Sequence, residues 1–200
     1  MTESDARRDY RPGPLRHAEA RPDGTRWALT FVREFTHSPA ALWTALTDPG
    51  ELPQWAPYTA DRDLGTVGPA TLTMVDGPDR IELDGTVTRA EAPHVLEHAW
   101  GDDVLLWTIE ESGEGTRLTL RHTLDDQRTA AMTAAGWHMC LDVAEALLDG
   151  NPIGPIVGAD AMNYGWRALN EQLLRTPRRR TDRSDAAVNR RRPSAAPRYR

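Results

Sequence analysis

Hydrophobic side chains recur at alternate positions from Trp27 through Leu29 and Phe31 to Phe35, the period of a strand with one face in a core. This predicts a strand over 26–35. Residues 1–23 mix Arg, Asp, Pro and Gly without apolar periodicity, so they are expected to form a disordered arm. Ser38-Pro39 reads as a helix start, with a serine cap and a proline pre-set for the first turn; a short helix follows through Leu42, Trp43 and Leu46. Asp48 can cap a second short helix through a D-x-x-E box closed by Glu51, ahead of Leu52 and Trp55.

Strand-like stretches follow at 70–75, 80–90, 94–100, 103–111 and 116–124, separated by Gly, Pro and Asp turn signals; links this short imply an antiparallel meander. Asp125 or Asp126 then opens a long helix that Gly150 and Pro152 end. A helix of about 22 residues reaches about 33 Å, enough to lie across the sheet. After a Gly/Pro-rich loop, Met162, Trp166, Leu169 and Leu173 mark a last helix over about 161–175, and beyond Thr176-Pro177 the periodicity vanishes.

This order of strand, two short helices, meander and long helix, with LWTALTDPGELPQW at 42–55, TRLTLRHTL at 116–124 and GWHMCLDVAEALLDG at 136–150, resembles the START-like (SRPBCC) superfamily. Within it the chain is similar to the activator of heat-shock-protein ATPase homologue-like family. The resemblance implies an α+β helix-grip fold: a curved antiparallel sheet wrapped around a long C-terminal helix, with two short helices after the first strand. The resemblance covers about residues 25–150, with an extension to 174, and the domain is expected over 24–175, between the arm at 1–23 and a disordered arginine-rich tail at 176–200. Members of the superfamily hold apolar ligands between sheet and helix, a few act as cyclases or aromatases, and one branch serves as co-chaperone domains. No catalytic residue carries over, because the matching motifs mark packing positions.

Charge alters the picture at the C-terminus. The net charge of -6 divides into nine arginines against Asp182 and Asp185 in residues 176–200, a balance of +7, and fifteen arginines against 28 acids before them, a balance of -13. An acidic body argues against nucleic acid as a partner, apart from weak polyanion binding by the tail. Cys140 is the only cysteine, which excludes an intramolecular disulfide and a multi-cysteine zinc site and suits a reducing, cytoplasmic setting. No apolar run reaches the roughly 20 residues of a membrane span, and the N-terminus lacks the apolar stretch of a signal peptide. No Walker loop, G-x-G-x-x-G, H-E-x-x-H or G-x-S-x-G occurs, so no cofactor and no metal is implied.

Reading Gly101-Asp102 as a two-residue hairpin pairs Trp100 with Asp103, His98 with Leu105 and Leu96 with Trp107; a hairpin through 112–115 pairs Trp107 with Leu120, Leu105 with His122 and Asp103 with Leu124. His98 and His122 then flank Leu105 in one row of the inner face, with Cβ atoms about 9–10 Å apart. That is far for joint metal ligation but suits two polar contacts to one bound molecule. Trp55, Trp100, Trp107 and Trp137 complete the candidate lining, and Gly136 is expected to bring helix and sheet close. The competing reading is ordinary core: satisfied histidines and packed aromatics. His138, Asp142, Glu145 and Asp149 form one polar stripe along the long helix, read as a solvated face, and Cys140 reads as an inert buried thiol.

The expected function is non-enzymatic binding of a small apolar or aromatic molecule in an internal cavity between sheet and long helix, lined by Trp55, His98, Trp100, Leu105, Trp107, His122 and Trp137. Two alternatives stay open: a cyclase or aromatase acting on a polyketide-like substrate with His98 or His122 as general acid/base, and a co-chaperone-like surface module. Trimming to residues 24–175 is expected to leave the melting temperature unchanged.

Overall fold

A computed structural model describes residues 7–13, 16–75, 77 and 79–175. Its strands are β1 (Ala18–Asp23), β2 (Arg26–Phe35), β3 (Tyr58–Ala60), β4 (Thr71–Met74), β5 (Glu82–Asp84), β6 (Val87–Glu91), β7 (Val95–Trp100), β8 (Asp103–Ser112) and β9 (Gly115–Leu124). The α-helices α1 (Pro39–Thr47), α2 (Ala130–Leu148) and α3 (Trp166–Arg175) accompany them, and residues 7–9 are also helical. Six strands form one sheet in the order β1-β2-β9-β8-β7-β6, and β3-β4-β5 form a smaller one. The long helix α2 packs against β2 and the short helices, and α3 packs on α2. This is the expected α+β helix-grip fold.

Local chemistry explains most element boundaries. Ser38 Oγ accepts from the Ala41 amide at 3.3 Å at the start of α1, with Pro39 in the first turn. Asp48 Oδ1 accepts from the Gly50 and Glu51 amides at 2.7 and 3.2 Å, but the turn that follows is a 3-10 helix, Leu52–Gln54. Asp126 caps a further 3-10 turn that leads into α2. The single strand expected over 80–90 is split into β5 and β6, which belong to different sheets. Gly85 sits at the break: its amide bonds Ala70 O at 2.9 Å, and a Cβ there would meet Leu72 at 2.6 Å, so only glycine lets the two segments approach. At Gly115 a Cβ would lie 2.1 Å from Phe35 O, which fixes the start of β9 against the end of β2.

The register from the two hairpins holds. Trp100 pairs with Asp103, His98 with Leu105, Leu96 with Trp107, Leu105 with His122 and Trp107 with Leu120. The β8–β9 ladder begins at Leu105↔His122, so the expected Asp103–Leu124 pair lies beyond it; on the other side of β9, Leu124 pairs with Trp27 of β2. Leu29, Phe31, Leu96, Leu105, Trp107, Ile109, Leu118 and Leu120 fill the core from the sheet, and Ala135, Met139 and Val143 meet them from α2.

Three expectations need correction. Residues 18–23, placed in a disordered arm, are β1, paired with β2 from Ala18↔Phe31 to Asp23↔Arg26; the backbone ladder holds a segment that has no apolar period of its own. Residues 7–13 form a strap: Arg7 donates to Ile153 O, Gly154 O and Asp160 at 2.9, 3.0 and 2.7 Å, and Tyr10 stacks on Tyr164 at 6.0 Å. Gly136 does not serve helix–sheet approach, since a Cβ there would meet nothing within 4 Å. The expected helix over 161–175 divides into a 3-10 helix, Gly158–Tyr164, and α3, with Gly165 at φ 97° between them. The arginine-rich tail at 176–200 lies outside the described residues.

Candidate functional site

The seven residues expected to line the interior come together as one aromatic cluster. Trp55, His98, Leu105, Trp107, His122 and Trp137 are buried and Trp100 is partly buried. Trp107 is the hub, edge-on to Trp137 at 5.2 Å between ring centres and to Trp55 at 6.4 Å. Trp100 meets Trp137 at 5.6 Å and His122 at 6.1 Å. Five elements supply these rings: β7, β8 and β9 through the inward positions of the register, the turn after the 3-10 helix for Trp55, and α2 for Trp137. Edge-to-face packing of this kind adds about 0.5–1.5 kcal/mol per pair beyond burial.

Sequence reasoning missed Tyr58. It is fully buried, stacks edge-on to Trp100 at 5.1 Å and lies 6.1 Å from the His98 ring. The signal was present as Trp55-Ala-Pro-Tyr58, where a proline-fixed extended step places the tyrosine beside the tryptophan in the core.

The polar atoms of this cluster are unequally satisfied. Trp137 Nε1–H donates to His122 Nδ1 at 3.0 Å, so in the neutral ring the His122 proton sits on Nε2, which faces Asp103 Oδ2 at 3.4 Å without hydrogen-bond geometry. Asp103 is itself ion-paired with Arg26. His98 Nδ1 lies 2.9 Å from Ala99 O. A carbonyl can only accept, so Nδ1 carries the proton and Nε2 presents a bare lone pair. Burial, reinforced slightly by His122, pushes the His98 pKa down to about 4, which keeps the ring neutral at physiological pH. His98 Nε2, Trp107 Nε1 and Tyr58 Oη are all buried and lack a hydrogen-bond partner among the described residues. Leaving such a group unpaired costs about 1–3 kcal/mol each.

A second polar cluster lies on the strap side of α2 and reverses the expectation of a solvated stripe. Arg33, at an inward position of β2 between Phe31 and Phe35, is 2% exposed; it binds Asp142 Oδ1 at 2.5 Å and Glu145 Oε2. Asp142 Oδ2 accepts from Tyr10 Oη and from the Gly13 amide, both at 2.9 Å, and His138 Nε2 lies 3.2 Å from Gly13 O. His138 is fully buried and Asp142 is 7% exposed, while Asp149 at the far end is 53% exposed. Helical spacing put these four residues on one face, and the strap with Arg33 covers most of it. The legible sign was an arginine in the apolar alternation of β2, which calls for buried carboxylates opposite. Cys140 is buried, and desolvation pushes its thiol up to about 12, so it is unreactive.

Three comparisons bear on this arrangement. The sequence profile described as Activator of Hsp90 ATPase homolog 1-like protein matches residues 36–149, more than half of the chain. A search of curated proteins finds no match. Among solved structures, the solution structure of CalU16 from Micromonospora echinospora is similar with a TM-score of 0.61 at 19% identity, over 82% of this chain and 93% of that one. A Rhodobacter sphaeroides protein aligns with a TM-score of 0.56 at 23% identity over 67% and 99%, and one from Mycobacterium smegmatis with 0.53 at 24% over 67% and 99%. At these identities the structural likeness shows the fold.

Proposed function

Since the chain belongs to the activator of Hsp90 ATPase homolog 1-like family, and the family's fold sets a sheet's apolar face against a long helix, we propose that this protein binds a small, flat, largely apolar molecule between sheet and α2. The observation that carries the reading is the group of buried, unpartnered polar atoms on Tyr58, His98 and Trp107, with His122 Nε2 beside them, inside a largely apolar aromatic cluster. Binding sites combine an apolar lining with a few polar groups that fix orientation, and this is that composition. Proton-transfer catalysis at His98 has less support, because a base with a pKa near 4 is far from the matching range around neutrality. The surface-module reading also has less: the exposed large apolar side chains Val67, Ile81, Met132 and Met162 come from separate segments. A cytoplasmic setting suits the single buried thiol, and no described helix is long and apolar enough to cross a membrane.

Titration with 1-naphthol, followed by tryptophan emission and calorimetry, tests the reading. One saturable site per chain is expected. Leu105→Trp, which adds volume between the two histidines, abolishes binding at a stability cost of about 1–3 kcal/mol. In the wild type the indole N–H resonances of Trp100, Trp107 and Trp137 shift at the same saturation point, whereas that of Trp43 on α1 stays still. Quenching that rises linearly without saturation overturns the reading.

A further inference from the structure

Among the described residues, buried side-chain atoms without a partner occur at several places, but they are not equivalent. Arg33 and His138 each have one loose nitrogen while their other nitrogens are engaged in the cluster around Asp142. Trp107 and Tyr58 differ, because Nε1 and Oη are the only polar atoms those side chains possess. Each is therefore a buried side chain with no polar contact to any described residue. His98 shares the same region with its Nε2 lone pair.

The register puts two of these groups on adjacent strands of one face. His98 pairs with Leu105 and Leu96 pairs with Trp107, so His98 and Trp107 are diagonal neighbours on adjacent strands, about 7–8 Å apart between backbone positions. Tyr58 closes the set from β3, its ring 6.1 Å from that of His98. Their chemistry is complementary and fixed. His98 Nε2 can only accept, since Nδ1–H is committed to Ala99 O; Trp107 Nε1–H can only donate; the Tyr58 hydroxyl can do either.

The charge on the occupant is set as well. Among the described residues, no fixed cation belongs to this ring cluster. Arg33 is engaged by Asp142 and Glu145, and Arg26 by Asp103 and Asp125. An ionised ligand group would lie buried without a counter-charge, which is strongly unfavourable.

We infer that the occupant is an uncharged, flat molecule that donates one hydrogen bond to His98 Nε2 and accepts one from Trp107 Nε1–H, as an aromatic or polycyclic compound with a hydroxyl group and a carbonyl or ether oxygen does. This rests on the interior-binding reading above and specifies the ligand class for that same site. A hydroxyl that fills an unpaired buried acceptor is worth about tenfold in affinity.

Calorimetric titrations with naphthalene, 1-naphthol and 1-naphthoate separate the two claims. In the wild type, 1-naphthol is expected to bind about tenfold more tightly than naphthalene, and 1-naphthoate more weakly than either. In His98→Leu the preference for 1-naphthol over naphthalene falls to about one while naphthalene binding persists. If that variant fails to fold, the wild type still answers: 1-naphthol moves the His98 Nε2 nitrogen resonance upfield and naphthalene leaves it in place. Equal saturable binding of naphthalene and 1-naphthol, or 1-naphthoate as the tightest of the three, overturns the inference and leaves the interior site standing. Absence of saturable binding for all three overturns the interior site itself.

Discussion

Replacing Arg33 by Met is the sharpest test of what holds α2 on the sheet. The guanidinium is 2% exposed and is shared by Asp142 and Glu145, so its removal strands one carboxylate that is 7% exposed and one that is 30% exposed. Breaking a buried pair from one side costs about 3–5 kcal/mol, because the remaining charge stays desolvated. Two features place this case at the lower end. Glu145 can rehydrate, and Asp142 keeps the Tyr10 hydroxyl and the Gly13 amide as donors. We therefore expect a loss of about 3 kcal/mol, which lowers Tm by about 6–12 °C for a chain of this size. Calorimetric unfolding at neutral pH measures it, and the triple change Arg33→Met, Asp142→Leu, Glu145→Met should recover part of the loss, since an apolar replacement of the whole network leaves no buried charge. A Tm for Arg33→Met within about 2 °C of the wild type would show that the network is solvated and would refute the reasoning.

Further outcomes follow from the strap and from His98. A chain beginning at residue 24 loses β1 and both strap donors to Asp142, so it should melt several degrees below the full chain, and Tyr10→Phe alone should cost about 1.5 kcal/mol; identical melting curves would return these residues to the status of a passive arm. His98 has its pKa lowered by burial from 6.5 to about 4, so between those values the unfolded chain binds a proton that the folded one does not. Its contribution is complete above pH 6.5 and is lost as the pH falls toward 4, by up to about 3 kcal/mol. Chemical denaturation across that window should show a steeper acid decline in the wild type than in His98→Leu, and equal slopes would place His98 in contact with solvent.

The sequence made the sheet legible because a two-residue turn at Gly101-Asp102 propagates a register with no freedom of choice: once Trp100 faces Asp103, the positions of His98, Leu105, Trp107 and His122 follow. The site residues on β7–β9 were readable for that reason. Elements held by the backbone of another segment were not. Arg21 and Pro22 carry no apolar signal, yet β1 forms because β2 offers an edge. The stripe from His138 to Asp149 was correctly placed on one helical face, but periodicity tells which residues share a face and not what covers it. That required knowing that residues 7–13 cross α2, a contact more than a hundred residues long in sequence.

Of the polar intrusions into the apolar inner face, Arg33 on β2 and His98 on β7 illustrate how structural and functional polarity can be told apart. Both sit at inward positions of the alternation and both are buried. Around Arg33 the opposing charges arrive from α2 and further donors from the strap, so the chain itself supplies the partners and the cluster acts as a clamp between sheet and helix. Around His98 the ring neighbour is Tyr58, which stacks on it at 6.1 Å, while Nε2 stays without a partner among the described residues and Trp107, on the next strand, leaves its own N–H unpaired. A fold that can bring carboxylates to one buried polar group by way of α2 is not short of means to satisfy another. An acceptor, a donor and a hydroxyl left unpartnered within one buried aromatic cluster therefore have a physical rationale if a molecule that is not part of the chain completes them.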